Sequence, residues 1–124
     1  MFKVASWVLA AFAAVLALSS LAAEPFGTFV RPSTGAQVKF YDCGGKLCGK
    51  IVGVRDASRS KEIGTVILNG AAKFGDNRWK GSLLDTDSGK TYSGVVTLEG
   101  ADGLNLKGCV AGVICQGETW LRVR

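Results

Sequence analysis

The sequence predicts an all-β fold: a small antiparallel up-and-down barrel of eight or nine strands behind an N-terminal leader. Three observations carry the all-β part. The 124 residues include seventeen glycines and only two prolines. Short apolar stretches recur between clusters of turn residues. After the leader, no segment sustains the 3.6-residue period of an amphipathic helix. Consecutive antiparallel strands of this kind close a barrel and so leave no exposed edge.

The leader comes first. Met1-Phe2-Lys3 is a short basic start, Val4 to Leu18 is apolar apart from Ser6, and Ser19-Ser20-Leu21-Ala22-Ala23 supplies small residues for cleavage. This is the pattern of a secretory signal. Residues 1–23 are therefore expected to be removed, leaving one domain over 24–124, in the periplasm or secreted. The competing reading is an uncleaved anchor, because Val4 to Ala23 approaches the roughly 20 residues of a bilayer span. The serines and alanines at its far end favour cleavage, and with it a protein that keeps no stable membrane anchor. No cysteine near the cut offers a lipid attachment point.

Nine candidate strands follow: Phe26–Arg31, Gln37–Asp42, Leu47–Val54, Thr65–Leu68, Ala71–Phe74, Arg78–Asp85, Thr91–Leu98, Leu104–Val110 and Glu118–Val123. Turn chemistry separates many of them, in Ser33-Thr34-Gly35, Gly44-Gly45, Gly75-Asp76-Asn77, Asp87-Ser88-Gly89 and Gly100 to Gly103. Arg55 to Glu62 is polar without alternation and reads as a loop with room for a turn of helix.

The four cysteines, Cys43, Cys48, Cys109 and Cys115, suit an exported disulfide framework. C-x4-C and C-x5-C are wide for a zinc site, which prefers tighter knuckles and a reducing compartment, and neither is the C-x-x-C of a redox pair. Of three possible connectivities, strand alternation favours two local staples. If Cys43 faces Cys48, Phe40 falls opposite Ile51 and Tyr41 opposite Lys50. Val38, Phe40 and Ile51 then share an apolar face, with Lys39, Lys50 and both cysteines on the other. A two-residue loop would instead set Lys39 against Lys50, an unfavourable like-charge pair. Pairing Cys109 with Cys115 puts Leu104 opposite Trp120 and Leu106 opposite Glu118.

Charge and motifs exclude several classes. The net charge of +5 is spread along the chain, without the interleaved basic and aromatic residues of a nucleic-acid platform. Histidine is absent, which removes Ser-His-Asp and Cys-His catalysis. Ser58-Arg59-Ser60-Lys61 matches S-x-x-K but lacks its companion motif. Leu84 stands where a phosphate loop ending at Gly89-Lys90-Thr91 needs its first glycine, and Gly89 replaces the third ligand of a calcium loop begun by Asp85 and Asp87. No catalytic residue, metal site or cofactor is expected. Glu118 is the most suggestive carboxylate, sharing a face with Trp120 and Arg122. A carboxylate and guanidinium beside an indole either pair with each other at a barrel mouth or recognise the polar end of a ligand.

Three segments, YDCGGKLCGKIVGV, SGKTYSGVVTLEGADGLNLKGC and GCVAGVICQGETWLRV, together resemble the exported bacterial proteins grouped as domain of unknown function 2147. The resemblance spans about Phe26 to Arg124 and implies a lipocalin-like, or calycin, barrel of unestablished role. Such barrels begin with G-x-W, the tryptophan lying beneath an arginine of the last strand. Gly27-Thr28-Phe29 occupies that place, with Arg122 as its implied partner; phenylalanine keeps the plug and loses the indole donor. The stretch from Val54 to Trp79 is shorter than the family pattern, which bears on one barrel mouth.

The expected function is non-enzymatic binding of a small apolar or amphipathic ligand. Phe29, Phe40, Tyr92 and Trp120 are expected to line the interior, with Glu118 or Arg122 near the mouth. Glycines on strands, at 49, 53, 81, 94 and 108, either open space inside or bend the strands. The alternative is a protein-binding envelope module, a hydrolase inhibitor or surface interaction factor, acting through rigid loops.

Overall fold

The computed structural model describes residues 23–111 and 114–124; the leader expected over 1–23 lies, apart from Ala23, outside the described residues. The strands are β1 (Gly27–Val30), β2 (Gln37–Asp42), β3 (Leu47–Gly53), β4 (Val66–Gly75), β5 (Arg78–Leu84), β6 (Thr91–Glu99), β7 (Gly103–Val110) and β8 (Ile114–Arg122). They form a closed antiparallel barrel in chain order. β8 closes on β1, with Phe29 opposite Arg122 and Val30 opposite Leu121. Among the described residues no helix is long and apolar enough to cross a membrane.

Two expected strands, Thr65–Leu68 and Ala71–Phe74, are one. Asn69-Gly70 is not a turn between them but an irregularity within β4, where Leu47 pairs with Ala71 and Gly49 with Leu68. Gly70 adopts φ +74° there, a left-handed conformation that glycine takes without steric cost and that bulges often require. Its N–H points to Cys48 Sγ at 3.3 Å. The last strand also starts earlier than expected, at Ile114.

The first cysteine hairpin has a different register from the one expected. Cys43 N–H donates to the Lys46 carbonyl at 2.9 Å, around Gly44 and Gly45 with φ +73° and +83°. Two positive φ values make the tight turn whose twist matches the flanking strands. Lys39 therefore does face Lys50, Phe40 faces Gly49 and Tyr41 faces Cys48. Turn geometry outweighs a modest like-charge cost because both ammonium groups are exposed, and Lys50 Nζ lies 5.9 Å from the Tyr41 ring centroid. The facing is unchanged by the slip: Val38, Phe40 and Ile51 are buried in the core. The Cys43–Cys48 bridge forms from offset positions, with Cα atoms 5.9 Å apart.

The second hairpin has the expected register. Leu104 faces Trp120, Leu106 faces Glu118 and Cys109 faces Cys115, the last two joined as a disulfide. The polar run after β3 forms a 3-10 helix, Ala57–Glu62, capped by the Asp56 side chain, which accepts from the Ser58 N–H.

Inside the barrel an aromatic column fills one end. Trp120 packs on Phe40 with ring centroids 6.0 Å apart, and Phe40 meets Phe29 edge-on at 5.8 Å. Arg122 covers the far face of Phe29 at 4.6 Å. Its guanidinium donates to the carbonyls of Ala101 at 2.9 Å, Phe26 at 2.5 Å and Glu24 at 2.8 Å. Gly81 and Gly94 do not open space: a Cβ on Gly81 would lie 2.8 Å from Ala71 Cα, and one on Gly94 2.7 Å from Leu83 Cβ. They let neighbouring strands approach closely.

Candidate functional site

Antiparallel order gives the barrel two unlike ends. The chain termini and the β2–β3, β4–β5 and β6–β7 turns gather at the plugged end. The β1–β2, β3–β4, β5–β6 and β7–β8 connections gather at the other, where a cavity of about 530 Å³ opens. That volume lies within the range of small-molecule sites, roughly 300–1,000 Å³. Ile67, Leu83, Leu84, Leu106 and Trp120 give it apolar walls, while Arg31, Asp85, Tyr92, Gln116 and Glu118 bring polar groups.

Local structure explains the polar groups. Arg31 leaves β1 into a short loop closed by Arg31 N–H to the Ala36 carbonyl at 2.9 Å and Gly35 N–H to the Arg31 carbonyl at 2.8 Å. Barrel closure brings β8 alongside, so that Arg31 Nε donates to Glu118 Oε1 at 2.8 Å. Ser33 Oγ donates to the same oxygen at 2.9 Å. Arg31 Nη1 reaches Asp85 Oδ1 at 3.5 Å. Asp85 is itself held by the Asp87 N–H at 3.1 Å and the Ser88 hydroxyl at 3.0 Å.

These contacts fix the charge states. Burial works to lower the Arg31 pKa, but the Glu118 hydrogen bond and the charges of Glu118, Asp85 and Asp87 outweigh it and raise the value. Burial likewise works to raise Asp85, and the Asp87 N–H, Ser88 and Arg31 together hold it below the ordinary carboxylate range. A neighbouring cluster repeats the pattern: Arg59 bonds Glu62 at 2.6 Å and also meets Asp87.

Beneath the rim, the buried Trp120 indole N–H finds no acceptor among the described residues. A second cavity of about 20 Å³ adjoins Trp120, Thr34 and Thr86, a volume sufficient for one water molecule. Among the described residues no cluster of three metal-ligating side chains occurs.

Residues 27–122 match the family model described as "Uncharacterized protein conserved in bacteria (DUF2147)". The chain belongs to the DUF2147 family. In structure it is similar to protein HP1028 from the human pathogen Helicobacter pylori, described as belonging to the lipocalin family, with a TM-score of 0.70 and 21% identity over 83% of this chain and 85% of that one. At that identity the likeness speaks for the fold. No curated protein matches.

Within this DUF2147 member the expected site residues divide between the two ends. Tyr92, Glu118 and Trp120 line the cavity. Phe29 and Phe40 are almost fully buried beneath Trp120 in the plug and lie outside the lining. Arg122 is at the opposite end from the mouth, over Phe29, where the G-x-W resemblance places it. The partner of Glu118 is Arg31, which sequence reading passed over. Its only signal was a position just beyond β1, and β1 lies beside the last strand only once the barrel closes.

Proposed function

We propose that this protein is a non-enzymatic, exported binding barrel that takes up a small amphipathic molecule at its open end. The observation that carries the reading is the cavity of about 530 Å³, apolar along its walls and charged at its rim. An apolar body gains from leaving water against Ile67, Leu83, Leu106 and Trp120, while a polar end meets Arg31, Asp85 and Glu118. The lipocalin-like fold supports binding, since in small barrels of this kind the interior at the mouth is available to one ligand. Both disulfides suit an oxidising compartment.

The plugged end has a different part. Trp120, Phe40, Phe29 and Arg122 form a floor that holds the strands together and positions Trp120 as the base of the cavity. Affinity is expected to depend on the mouth and stability on the floor.

Native mass spectrometry of the oxidised protein purified from its own envelope, followed by denaturation, tests the proposal. A stoichiometric small amphipathic companion is the expected result. A bare mass after gentle purification, together with no uptake of added amphiphiles, overturns it and directs attention to protein partners of the loops.

A further inference from the structure

The headgroup that this cavity selects follows from its charges, given the binding reading above. Three lining residues carry formal charges, Arg31 a positive one and Asp85 and Glu118 negative ones. The site therefore carries a net negative charge inside a chain whose overall charge is +5.

The distribution of hydrogen bonds sharpens this. Arg31, the one cation among the described lining residues, is already engaged, by Glu118 at 2.8 Å and Asp85 at 3.5 Å. On Glu118, both Arg31 and Ser33 bond Oε1, and among the described residues Oε2 accepts no hydrogen bond. An anionic headgroup would reach Arg31 only beside the two carboxylates already drawn to it, Glu118 and Asp85, and both would repel it. A cationic headgroup displaces nothing: it takes the open side of Glu118 and balances the excess charge. The aromatic rings of Tyr92 and Trp120 in the same wall favour a cation as well. In the adjoining cluster the Arg59 charge is already engaged by Glu62 and Asp87.

We infer that the ligand of this cavity is a cationic amphiphile, an amine or similar positively charged group on an apolar body, with the charge seated against Glu118 and Asp85.

The test uses the oxidised full domain and three probes with the same chain and different heads, decylamine, 1-decanol and sodium decyl sulfate, each below its aggregation concentration. Binding is followed by tryptophan fluorescence and by the indole N–H resonance of Trp120. Decylamine is expected to bind at least about tenfold more tightly than decyl sulfate, and more tightly than decanol. Glu118→Gln should weaken decylamine far more than decanol and so remove most of the preference for the amine, with Asp85→Asn as the second variant should the first fail to fold. Decanol binding with no preference for the amine, or a preference for the sulfate, overturns the headgroup inference and leaves the cavity reading intact. Binding of none of the three overturns both.

Discussion

Arg31 Nε and Glu118 Oε1 lie 2.8 Å apart although 87 positions separate them in sequence. The contact joins the loop after the first strand to the last strand, across the seam where the barrel closes. It thus ties closure of the fold to assembly of the cavity rim, and each end of the molecule can be tested separately.

At the plugged end, Gly27 has φ +121° and a Cβ there would lie 2.7 Å from Arg122 Nη1. The backbone conformation strains any side chain, and one there would also push the Arg122 guanidinium from its place beside the Phe26 carbonyl. Gly27→Ala is expected to destabilise the domain by about 2 kcal/mol or more, measured by urea denaturation. Amphiphile affinity of the folded fraction should be unchanged, since the cavity lies beyond the aromatic column.

The two disulfides close loops of similar length, with sequence separations of 5 and 6. The chain-entropy estimate gives each about 2 kcal/mol. Paired Cys→Ser replacement of Cys43 with Cys48, or of Cys109 with Cys115, should therefore lower stability by comparable amounts. Only the second should weaken amphiphile binding, because it frees the hairpin bordering the cavity. Calorimetric titration of the two double variants separates these effects.

Lys39 directly opposite Lys50 is a local conflict that the Gly44-Gly45 turn imposes. Lys50→Glu converts it into an opposite-charge pair and should raise stability by about 0.5 kcal/mol at low salt. The gain should shrink as ionic strength rises, which thermal unfolding at two salt concentrations will show.

Stability should fall in acid, with Asp85 contributing. Its hydrogen bonds and Arg31 outweigh burial and hold its carboxyl below the ordinary value; Glu62 is lowered by its hydrogen bond to Arg59. A carboxyl with a depressed folded pKa contributes stability above its unfolded pKa, and that contribution is lost as pH falls through the folded pKa. Arg31, raised by its partners, stays charged throughout and adds no slope in this range. Unfolding free energy should thus decline below about pH 4, and less steeply in Asp85→Asn. Urea titrations at neutral and acid pH compare the two slopes.

By itself the sequence determined what depends on neighbours along the chain. Alternation placed Val38, Phe40 and Ile51 inward, and the spacing of Cys109 and Cys115 set their hairpin in register. The G-x-W-like start at Gly27 pointed to the pairing of Phe29 with Arg122. Even locally, weighing charge repulsion above backbone conformation gives the wrong register at Gly44-Gly45, and the break placed between Leu68 and Ala71 divides one bulged strand into two. Only the tertiary structure decided which end of the barrel is open and which arginine meets Glu118. Those are consequences of closure: β8 returning to β1 brings Arg31 to Glu118 and sends Arg122 to the far end, and no period or motif within a strand encodes which distant side chains will share a mouth.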